Sequence, residues 1–487
     1  MQPVPEIRVR QASSAQVAAG GDFVLYWMVA NRRTRWNFSL QRAVEWCQEL
    51  ERPLVVLEAL RCGYRWANDR LHQFVIQGMA DNAGAIKEKA ALYYPYLEPK
   101  PGAGQGLLEE LAGRACVVVS DDYPCFFLPR MVQAAVDQIP VRFELVDSNG
   151  LLPMRAADKV FARAYDFRRY LQKQLRPHLD ELPEEAPLDR VHLPRLDKLP
   201  TAITRKWPVA DVRELASESN LVSEFPIDHE VAVSPIAGGA HAAEKRLQDF
   251  LDNRLADYES RNDPDRDVAS GLSPYLHFGH IAAHQVFAET MSREGWSAKQ
   301  IAEKATGSSS GWWGTSEAAE GFLDELITWR ELGFNICWQR DDYAQYDSLP
   351  EWAQQTLAEH EQDAREYVYS LEEFEHAETH DELWNAAQRQ LLREGRLHNY
   401  LRMLWGKKIL EWTESPRDAI DVMIELNNKY ALDGRDPNSY SGIFWVLGRY
   451  DRAWGPERPV FGKIRYMSSE NTARKLSVKG FLEKYAG

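Results

Sequence analysis

Cysteine is scarce in this sequence, and long apolar runs are missing. The five cysteines are an odd number and include no CxxC pair, so neither a disulfide framework nor a zinc site is predicted. No run approaches the roughly 18 consecutive apolar residues of a membrane span, and residues 1–21 lack the apolar centre of a signal peptide. We therefore expect reduced core thiols, no membrane contact and a cytoplasmic location.

Basic residues are outnumbered over the chain as a whole. The 58 Lys and Arg stand against 73 Asp and Glu, a net charge of −15, which argues against a protein that coats nucleic acid with its whole surface. Residues 447–487 differ, with nine basic residues, four acidic ones and aromatics between them. That mixture suits phosphate contacts beside unstacked bases. A solvated charged tail is the alternative, and the aromatics make it less attractive.

The length favours two domains, because 487 residues, 44% of them apolar, can bury more than one core. Apolar runs rich in strand-forming residues at 23–29, 53–60, 115–120 and 141–147 alternate with helical patterns at 39–49 and 71–89. This alternation predicts an α/β domain with a Rossmann-like parallel sheet over residues 1–167. The charged stretch 168–225 is predicted as an interdomain linker, and 226–487 as a larger all-α domain.

A helix start is predicted at Ser273. Serine is a favoured N-cap, and Pro274 after it would occupy the first helical position, where proline is common. The free N–H groups of such a start, with the hydroxyls of Ser270 and Ser273 and the close approach that Gly271 allows, would suit a phosphate or pyrophosphate. From these residues alone, an ordinary capped helix is the favoured interpretation.

Two groups of histidines are spaced like helical neighbours. His277, His280 and His284 follow the predicted helix start, and core or supporting roles are favoured over a metal cluster. His376 and His380 are one turn apart, but the residues between them place the carboxylate differently from the HExxH zinc motif. We expect these two to be solvated residues at a helix start.

Tryptophan is abundant, with 16 in the chain and eleven of them at or beyond Trp296. Trp405 and Trp412 are seven residues apart, which on a helix is two turns, or roughly 10 Å along the axis. That distance permits electron hopping between indoles, although spacing alone favours core packing.

Glu325 and Trp329 are four residues apart. On a helix, their carboxyl and indole would share one face and could hold a flat heterocycle. A surface glutamate beside a core tryptophan explains the same spacing equally well.

Taken together, these segments resemble the photolyase and cryptochrome superfamily. The resemblance covers most of the helical region, including LSPYLHFG (272–279), LWNAAQ (383–388) and HNYLRM (398–403). The segments LDGRDPN (432–438) and ERPVFGKIRYM (457–467) are similar to class II cyclobutane pyrimidine dimer photolyases. In the N-terminal third the resemblance depends on YWM (26–28), the α/β pattern and residues 158–169.

The resemblance implies FAD as cofactor, active as the fully reduced anion, which on light excitation transfers an electron to a pyrimidine dimer flipped out of UV-damaged DNA. It implies that Glu325 hydrogen-bonds a dimer carbonyl, that Trp329 and Trp445 stack on its two bases, and that Met403 packs beside it. Because the lesion is already unstacked, it costs less to flip than an intact base pair.

The cofactor-binding residues implied by the resemblance form two groups. One group would hold the FAD phosphates and ribose: Tyr258, Ser270, Gly271, Leu272 and Ser273, with Arg330 assisting. The other would lie at the isoalloxazine: the ion pair Arg402–Asp433, and Asn427 near flavin N5. Gly434 is also implied as a cofactor-binding residue.

Photoreduction of oxidised flavin would use a chain of tryptophans. The resemblance implies Trp405, Trp384 and Trp412 as this chain, proximal to distal, with Tyr369 as an assistant. Phosphate contacts with DNA are predicted for the cations of the C-terminal region: Arg449, Arg452, Arg458, Lys463 and Arg465. We expect a monomer.

The sequence also departs from the family pattern. Leu404 replaces the tyrosine usual beside the proximal tryptophan in class II enzymes, which could change the speed or route of photoreduction. NRRTRW (31–36) differs from the Gln-Arg-Asp type of sequence common there, so no antenna site is carried over, and the identity of any antenna chromophore stays open.

Two rival functions remain at this point. A cryptochrome-like photoreceptor would keep the flavin and the tryptophan chain but would not need Glu325, Trp329 and Trp445 together. A nucleotide-binding or nucleic-acid-binding protein without photochemistry would show no flavin absorbance.

Overall fold

The computed structural model describes residues 2–217 and 221–487, so Met1 and residues 218–220 of the predicted linker lie outside the described residues. The backbone divides into two compact units, each built from several segments. The sheet unit consists of Met1–Ala157, Gln174–Gln248 and Leu272–Ser292, and the helical unit of Asp158–Lys173, Asp249–Gly271 and Arg293–Gly487. The predicted boundaries at 167, 225 and 226 treat each domain as one continuous stretch, whereas these units interleave along the sequence.

The sheet unit contains six strands in the order β1-β6-β5-β2-β3-β4. The strands are β1 Val9–Gln11, β2 Phe23–Met28, β3 Leu54–Leu60, β4 Ala91–Leu97, β5 Ala115–Asp121 and β6 Arg142–Val146. All neighbours pair in parallel except β1 and β6. The predicted α/β class with a Rossmann-like parallel sheet is confirmed, and β2 at its centre is buried at every position, as a strand covered on both faces should be.

The first four helices of the sheet unit each follow a strand, and the others come after the last strand in the sequence. They are α1 Phe38–Leu50, α2 Asp69–Ile86, α3 Leu107–Ala112, α4 Leu128–Val136, α6 Thr201–Lys206, α7 Val212–Ser217, α9 Ser273–His277 and α10 Ala283–Arg293. α1 begins where it does because the Asn37 side chain accepts hydrogen bonds from the amides of Ser39 and Leu40. The segment predicted as a linker thus carries two short helices, α6 and α7.

The second unit is built mainly from helices, as predicted. They are α5 Ala164–Gln174, α8 Ala240–Asn253, α11 Glu317–Leu323, α12 Arg330–Gln339, α13 Glu351–Glu359, α14 Leu371–Glu375, α15 Glu382–Glu394, α16 Asn399–Trp412, α17 Pro416–Tyr430, α18 Pro437–Val446, α19 Ser469–Lys475 and α20 Lys479–Lys484. Three helices, α5, α8 and α10, each extend across a boundary between the units, and most of α8, residues 240–248, belongs to the sheet unit. The core of this unit includes Trp384, Trp405 and Trp412. Among the described helices, none has the length and apolar character needed to cross a membrane.

The strand order of the sheet reverses between β5 and β2, where doubly wound sheets commonly bind nucleotides. Here the Asp121 carboxylate accepts hydrogen bonds from the amides of Val29, Ala30 and Asn31 at 2.8–2.9 Å. Consecutive amides of this kind can cradle a phosphate, but in this chain a carboxylate already occupies them. The reversal point therefore does not support a nucleotide site.

The histidines near α9 differ from the prediction in their placement. Leu272, not Ser273, is the N-cap of α9, and Pro274 therefore occupies the second helical position, which it fits as well as the first. No side chain caps this five-residue helix. Gly279 follows with φ of 72°, so His280 and His284 lie beyond α9. Burial lowers the pKa of His280 to about 3, which agrees with a neutral core histidine.

Metal binding and disulfide formation find no support in the described residues. Within the described ranges, no group of three or more His, Cys, Asp or Glu side chains is arranged to hold a metal ion. The five cysteines are buried, and none of them forms a disulfide.

Candidate functional site

A π-helical turn, Asp324–Trp329, carries two of the predicted site residues. The turn joins α11 to α12, so residues 317–339 form one helical segment. π turns contain an extra residue and are frequent at functional sites. The spacing of Glu325 and Trp329 predicted an ordinary helix, and apolar periodicity does not reveal the wider turn. Arg168 anchors its start by donating to both carboxylate oxygens of Asp324 at 2.6 and 2.8 Å.

Glu325 lies in a crowded but open environment. Its side chain is 36% exposed, yet burial raises the pKa of its carboxyl, with Arg261 opposing the shift and Asp324 adding to it. A carboxyl that protein surrounds on most sides and that solvent reaches on one is typical of a group lining a pocket. We infer that the raised pKa and the exposure describe the same open-sided site.

Arg261 is a site residue that sequence reasoning missed. Its guanidinium lies 3.5 Å from the Glu325 carboxylate and 4.9 Å from the ring centre of Tyr258. Its Nε is buried without a hydrogen-bond partner. The only sequence signal was its position three residues after Tyr258.

Trp329, which lies on the same π turn as Glu325, forms an apolar wedge with Trp445. Their ring centres are 5.2 Å apart with planes tilted by 36°, and both side chains are half-buried. α18 carries Trp445 and packs closely on α12. The approach is so close at Gly333 that a Cβ there would lie 2.9 Å from the backbone of Asn438. Met403, also half-buried, packs against the core of the helical unit.

The predicted ion pair of α16 is present in the structure. Arg402 donates to both carboxylate oxygens of Asp433 at 3.0 Å. On α17, the buried Asn427 amide donates to Ser439 Oγ at 2.6 Å and to Asn428 Oδ1 at 3.2 Å. Gly434 lies against α17, where a Cβ would be 2.6 Å from the Asn427 carbonyl oxygen.

The residues predicted to hold the FAD phosphates are divided between the two units. Tyr258 is buried in the helical unit with Phe250 and Phe322, whose ring centres are 5.7 and 5.5 Å away, and burial raises its pKa. Ser270 and Gly271 belong to the same unit, and Gly271 adopts a φ of 65°.

The remaining members of that group differ in exposure. Leu272 is buried and Ser273 exposed in the sheet unit. Arg330, in the helical unit, is buried and lies over the Phe334 ring at 4.5 Å. Phosphate binding by the whole group remains a prediction.

The three predicted electron-transfer tryptophans are neighbours in space. Trp384 lies between the other two, with its ring centre 6.5 Å from Trp405, nearly parallel, and 6.1 Å from Trp412. The Trp384 indole N–H donates to the Trp405 carbonyl at 3.0 Å, and the Trp405 indole N–H donates to Gln388 Oε1 at 2.9 Å. All three indoles are buried. Core packing and electron transfer are therefore compatible interpretations of the same residues.

The aromatic series continues beyond Trp412. The ring centre of Tyr369 lies 5.7 Å from it and that of His380 lies 4.9 Å from it. Tyr367 stacks on His380 with ring centres 3.7 Å apart. His380 lies in the connection after α14 and His376 is the C-cap of that helix, so both are exposed but neither starts a helix. The sequence offered no signal for the contact between residues 369 and 380.

The basic C-terminal region is exposed at four of its five predicted DNA contacts. Arg452 and Arg465 lie over the ring of Trp454 at 4.6 and 5.2 Å. Arg458 lies over Tyr466 at 4.8 Å, and Lys463 pairs with Glu457 at 3.0 Å.

Arg449 is the exception among the predicted phosphate contacts. It is 2% exposed and donates to the Tyr343 carbonyl at 2.8 Å and to Ser348 Oγ. A guanidinium enclosed in this way cannot reach a phosphate, so Arg449 is removed from the DNA-contacting set. Charge counting along a sequence does not distinguish inward-facing cations from outward-facing ones.

Known proteins resemble this chain over nearly its full length. A deoxyribodipyrimidine photo-lyase from Methanothermobacter thermautotrophicus is 34% identical over 484 residues, covering 99% of this chain and 98% of that protein. Another from Oryza sativa subsp. japonica is 33% identical over 494 residues, covering 98% of this chain and 89% of that protein. No family model matches the chain.

Solved structures show the same fold at low identity. A cryptochrome from Synechocystis has a TM-score of 0.67 at 15% identity, covering 95% of this chain and 88% of that one. A class III photolyase from Agrobacterium tumefaciens has a TM-score of 0.65 at 16% identity, covering 97% of this chain and 87% of that one. The fold class is that of photolyases and cryptochromes. With curated relatives at 30–34% identity over almost the whole chain, the protein belongs to the deoxyribodipyrimidine photo-lyase family.

Proposed function

We propose that this protein repairs cyclobutane pyrimidine dimers in DNA with light, by electron transfer from bound FAD to a flipped-out dimer. The observation that carries the proposal is the open-sided carboxyl of Glu325 beside the wedge of Trp329 and Trp445. A cryptochrome-like photoreceptor is less well supported, since it would need no such lesion site and the curated relatives are photo-lyases.

The wedge suits the shape of the lesion. Cyclobutane linkage saturates the C5–C6 bond of each base, so the two rings of a dimer are not coplanar. Two indoles tilted by 36° offer each ring an apolar surface. Stacking on aromatic side chains contributes about 1–3 kcal/mol per base, which helps offset the cost of flipping.

Glu325 would act as a hydrogen-bond donor. Its raised pKa favours the protonated carboxyl, which can donate to a pyrimidine carbonyl, whereas a carboxylate can only accept. As the dimer accepts an electron, negative charge develops on that carbonyl oxygen, so the hydrogen bond strengthens when it is needed.

The helical unit also fits the cofactor. The orphaned Arg261 Nε suits a ligand that carries acceptors, and the Arg402–Asp433 pair presents both charges to a polar ring system. The Asn427 side-chain oxygen is an acceptor that would suit the N5–H of a reduced flavin. Bound FAD, when reduced and excited, would supply the electron, and Arg402, Asp433 and Asn427 would orient its ring.

The buried tryptophans would serve photoreduction of the cofactor. Electrons would pass inward from Trp412 to Trp384 and then to Trp405. The ring centres are 6.1 Å apart for the first step and 6.5 Å apart for the second. Trp384 makes this route possible, since it lies between the other two. The class II assignment rests on residues 432–438 and 457–467 and is part of this proposal.

A visible spectrum and a repair assay test the function. Purified protein is expected to show flavin absorbance and, after reduction, to remove dimers from irradiated DNA in light but not in the dark. Flavin absorbance without light-dependent repair would favour the photoreceptor, and no flavin absorbance would favour a binding protein without photochemistry.

A further inference from the structure

Tyr369 and His380 meet through two hydrogen bonds at the outer end of the tryptophan series. The phenol oxygen lies 2.6 Å from His380 Nδ1. The backbone N–H of His380 donates to the same oxygen at 3.0 Å. In the neutral imidazole tautomer protonated at Nε2, Nδ1 is the acceptor, so the phenol donates its proton to Nδ1 while its oxygen accepts from the amide.

Trp412 is a poor place for a positive charge to remain. The Lys408 ammonium lies 5.2 Å from the centre of its ring, and like charges repel, more strongly in a partly buried setting than in water. Glu411 pairs with Lys408 at 2.7 Å and reduces this repulsion without removing the nearer cation. Transfer of the charge away from Trp412 is therefore favoured.

We propose that Tyr369 and His380 form a proton-coupled redox pair that ends the tryptophan chain. When Trp412 has been oxidised to its radical cation, Tyr369 gives it one electron while the phenol O–H bond breaks and its proton binds His380 Nδ1. The products are neutral Trp412, a neutral tyrosyl radical and an imidazolium, so charge and atoms balance. The oxidant is the positive charge that reaches Trp412 from the light-excited, oxidised flavin through Trp405 and Trp384. The inference thus rests on the proposed photoreduction.

The surroundings of the pair suit contact with an external reductant. Tyr367, which is 38% exposed, stacks on the imidazole, and His380 itself is exposed. A soluble thiol could return an electron and a proton to Tyr369 at this surface. His380 acts here as a proton acceptor rather than as a carrier of the electron.

Flash spectroscopy of the flavin-loaded protein tests the coupling. In the parent, the tryptophan radical signal should decay as a tyrosyl radical signal appears, and this step should be slower in D2O. Tyr369→Phe should abolish the tyrosyl signal. His380→Gln keeps a hydrogen-bond acceptor but removes the base, so it should also lose the signal. With His380→Gly, added imidazole should restore it, which a merely structural role of His380 would not explain.

A measurement in the dark examines the hydrogen bond itself. In protein with 15N-labelled histidine, the His380 Nδ1 resonance should shift when Tyr369 is replaced by Phe. Tyr367→Phe is the matched control, and in this variant the resonance should stay close to the parent position. An Nδ1 resonance unaffected by Tyr369→Phe would overturn the proposed pair.

The possible failures are distinguishable. If tryptophan radicals form in the parent but no tyrosyl radical follows, or if the step has no isotope effect, the proton-coupled pair is wrong and the tryptophan chain stands. If Trp405→Phe still forms the Trp412 radical, the proposed chain itself is wrong, and the inference falls with it.

Discussion

Glu325 shows how one residue obtains its chemistry from its surroundings. Protein on most sides disfavours its charged form, and the nearby cations, Arg261 at 3.5 Å and Arg168, do not reverse the shift. The open side leaves room for a substrate. A raised pKa extends the pH range over which this carboxyl is protonated and can donate a hydrogen bond, beyond the range of an ordinary surface glutamate.

The repair yield should therefore depend on pH through Glu325. Its pKa is raised, so the donating form is present below that pKa and is lost as pH rises through it. We expect the parent yield to fall with rising pH, while Glu325→Gln, whose amide donates at any pH, gives a flatter profile. Repair per absorbed photon by chemically reduced protein, measured over a pH series, checks this. Parallel profiles in the two proteins would mean that Glu325 does not titrate in the reaction.

Some of these residue contacts could be predicted from the sequence. The i, i+4 spacing put Glu325 near Trp329, and the family resemblance paired Arg402 with Asp433. The contact of Tyr369 with His380 could not be predicted, because both residues lie in connecting segments that have no helical or strand periodicity of apolar residues. The enclosure of Arg449 depends on the Tyr343 carbonyl and the Ser348 hydroxyl, which are distant in the sequence, so no local pattern predicts it.

At the scale of elements, the loop between α18 and α19 carries the exposed cations. Arg452, Arg458, Lys463 and Arg465 lie with Trp454 and Tyr466, as expected of a surface that contacts phosphates and unstacked bases. Arg449, at the start of the same loop, instead fixes it to residues 343–348.

Replacing Arg458 or Lys463 with alanine should weaken binding of dimer-containing DNA. If each meets one phosphate, the slope of log affinity against log salt should fall by about 0.9 for duplex DNA. Affinity titrations at several salt concentrations measure both effects. Lys479→Ala is the matched control, since this lysine on α20 is 88% exposed. Equal slopes in all three variants would remove the loop from the DNA interface.

Arg449→Met should act on stability instead. It removes the hydrogen bonds that Arg449 donates to the Tyr343 carbonyl and to Ser348 Oγ, at a cost of about 1–3 kcal/mol in the free energy of unfolding. Denaturant unfolding measures this loss, and the salt slope of DNA binding should match the parent. A lower slope with unchanged stability would return Arg449 to the DNA-contacting set.

The elements that sequence patterns identified were those with strong burial. Strands β2, β3, β5 and β6 are buried over most or all of their length and were predicted within one residue at each end. Strands β1 and β4 were not predicted. β1 has only three residues, all at least partly exposed. β4 lies at the sheet edge and contains Pro95, which an edge strand tolerates but which a strand pattern does not favour. The π turn escaped prediction because its extra residue leaves the apolar pattern almost unchanged.

At the scale of the whole molecule, the proposed lesion site and the proposed tryptophan chain would serve different steps. The first is built on the π turn and α18, the second on α15 and α16. Repair should therefore be separable from photoreduction by a single substitution.

Trp405→Phe should block light-driven reduction of oxidised FAD while repair by chemically reduced protein stays largely intact, because phenylalanine is much harder to oxidise. The variant also loses the hydrogen bond to Gln388, for which we expect about 1–3 kcal/mol of lost stability. Trp412→Phe should instead shorten the charge-separated state, since the charge could not move outward. Flavin bleaching under blue light with an external reductant is the measurement. Normal bleaching in Trp405→Phe would leave these tryptophans as core packing alone.

The most direct test of the central claim is the repair yield of Glu325→Ala per absorbed photon, on DNA carrying a single pyrimidine dimer. Flavin content and affinity for the damaged DNA should match the parent, because Glu325 is assigned to the dimer and not to the cofactor. We predict a clearly lower yield, since the hydrogen bond that stabilises the dimer as it gains an electron is lost. A yield equal to that of the parent, with cofactor and DNA bound, would contradict the account.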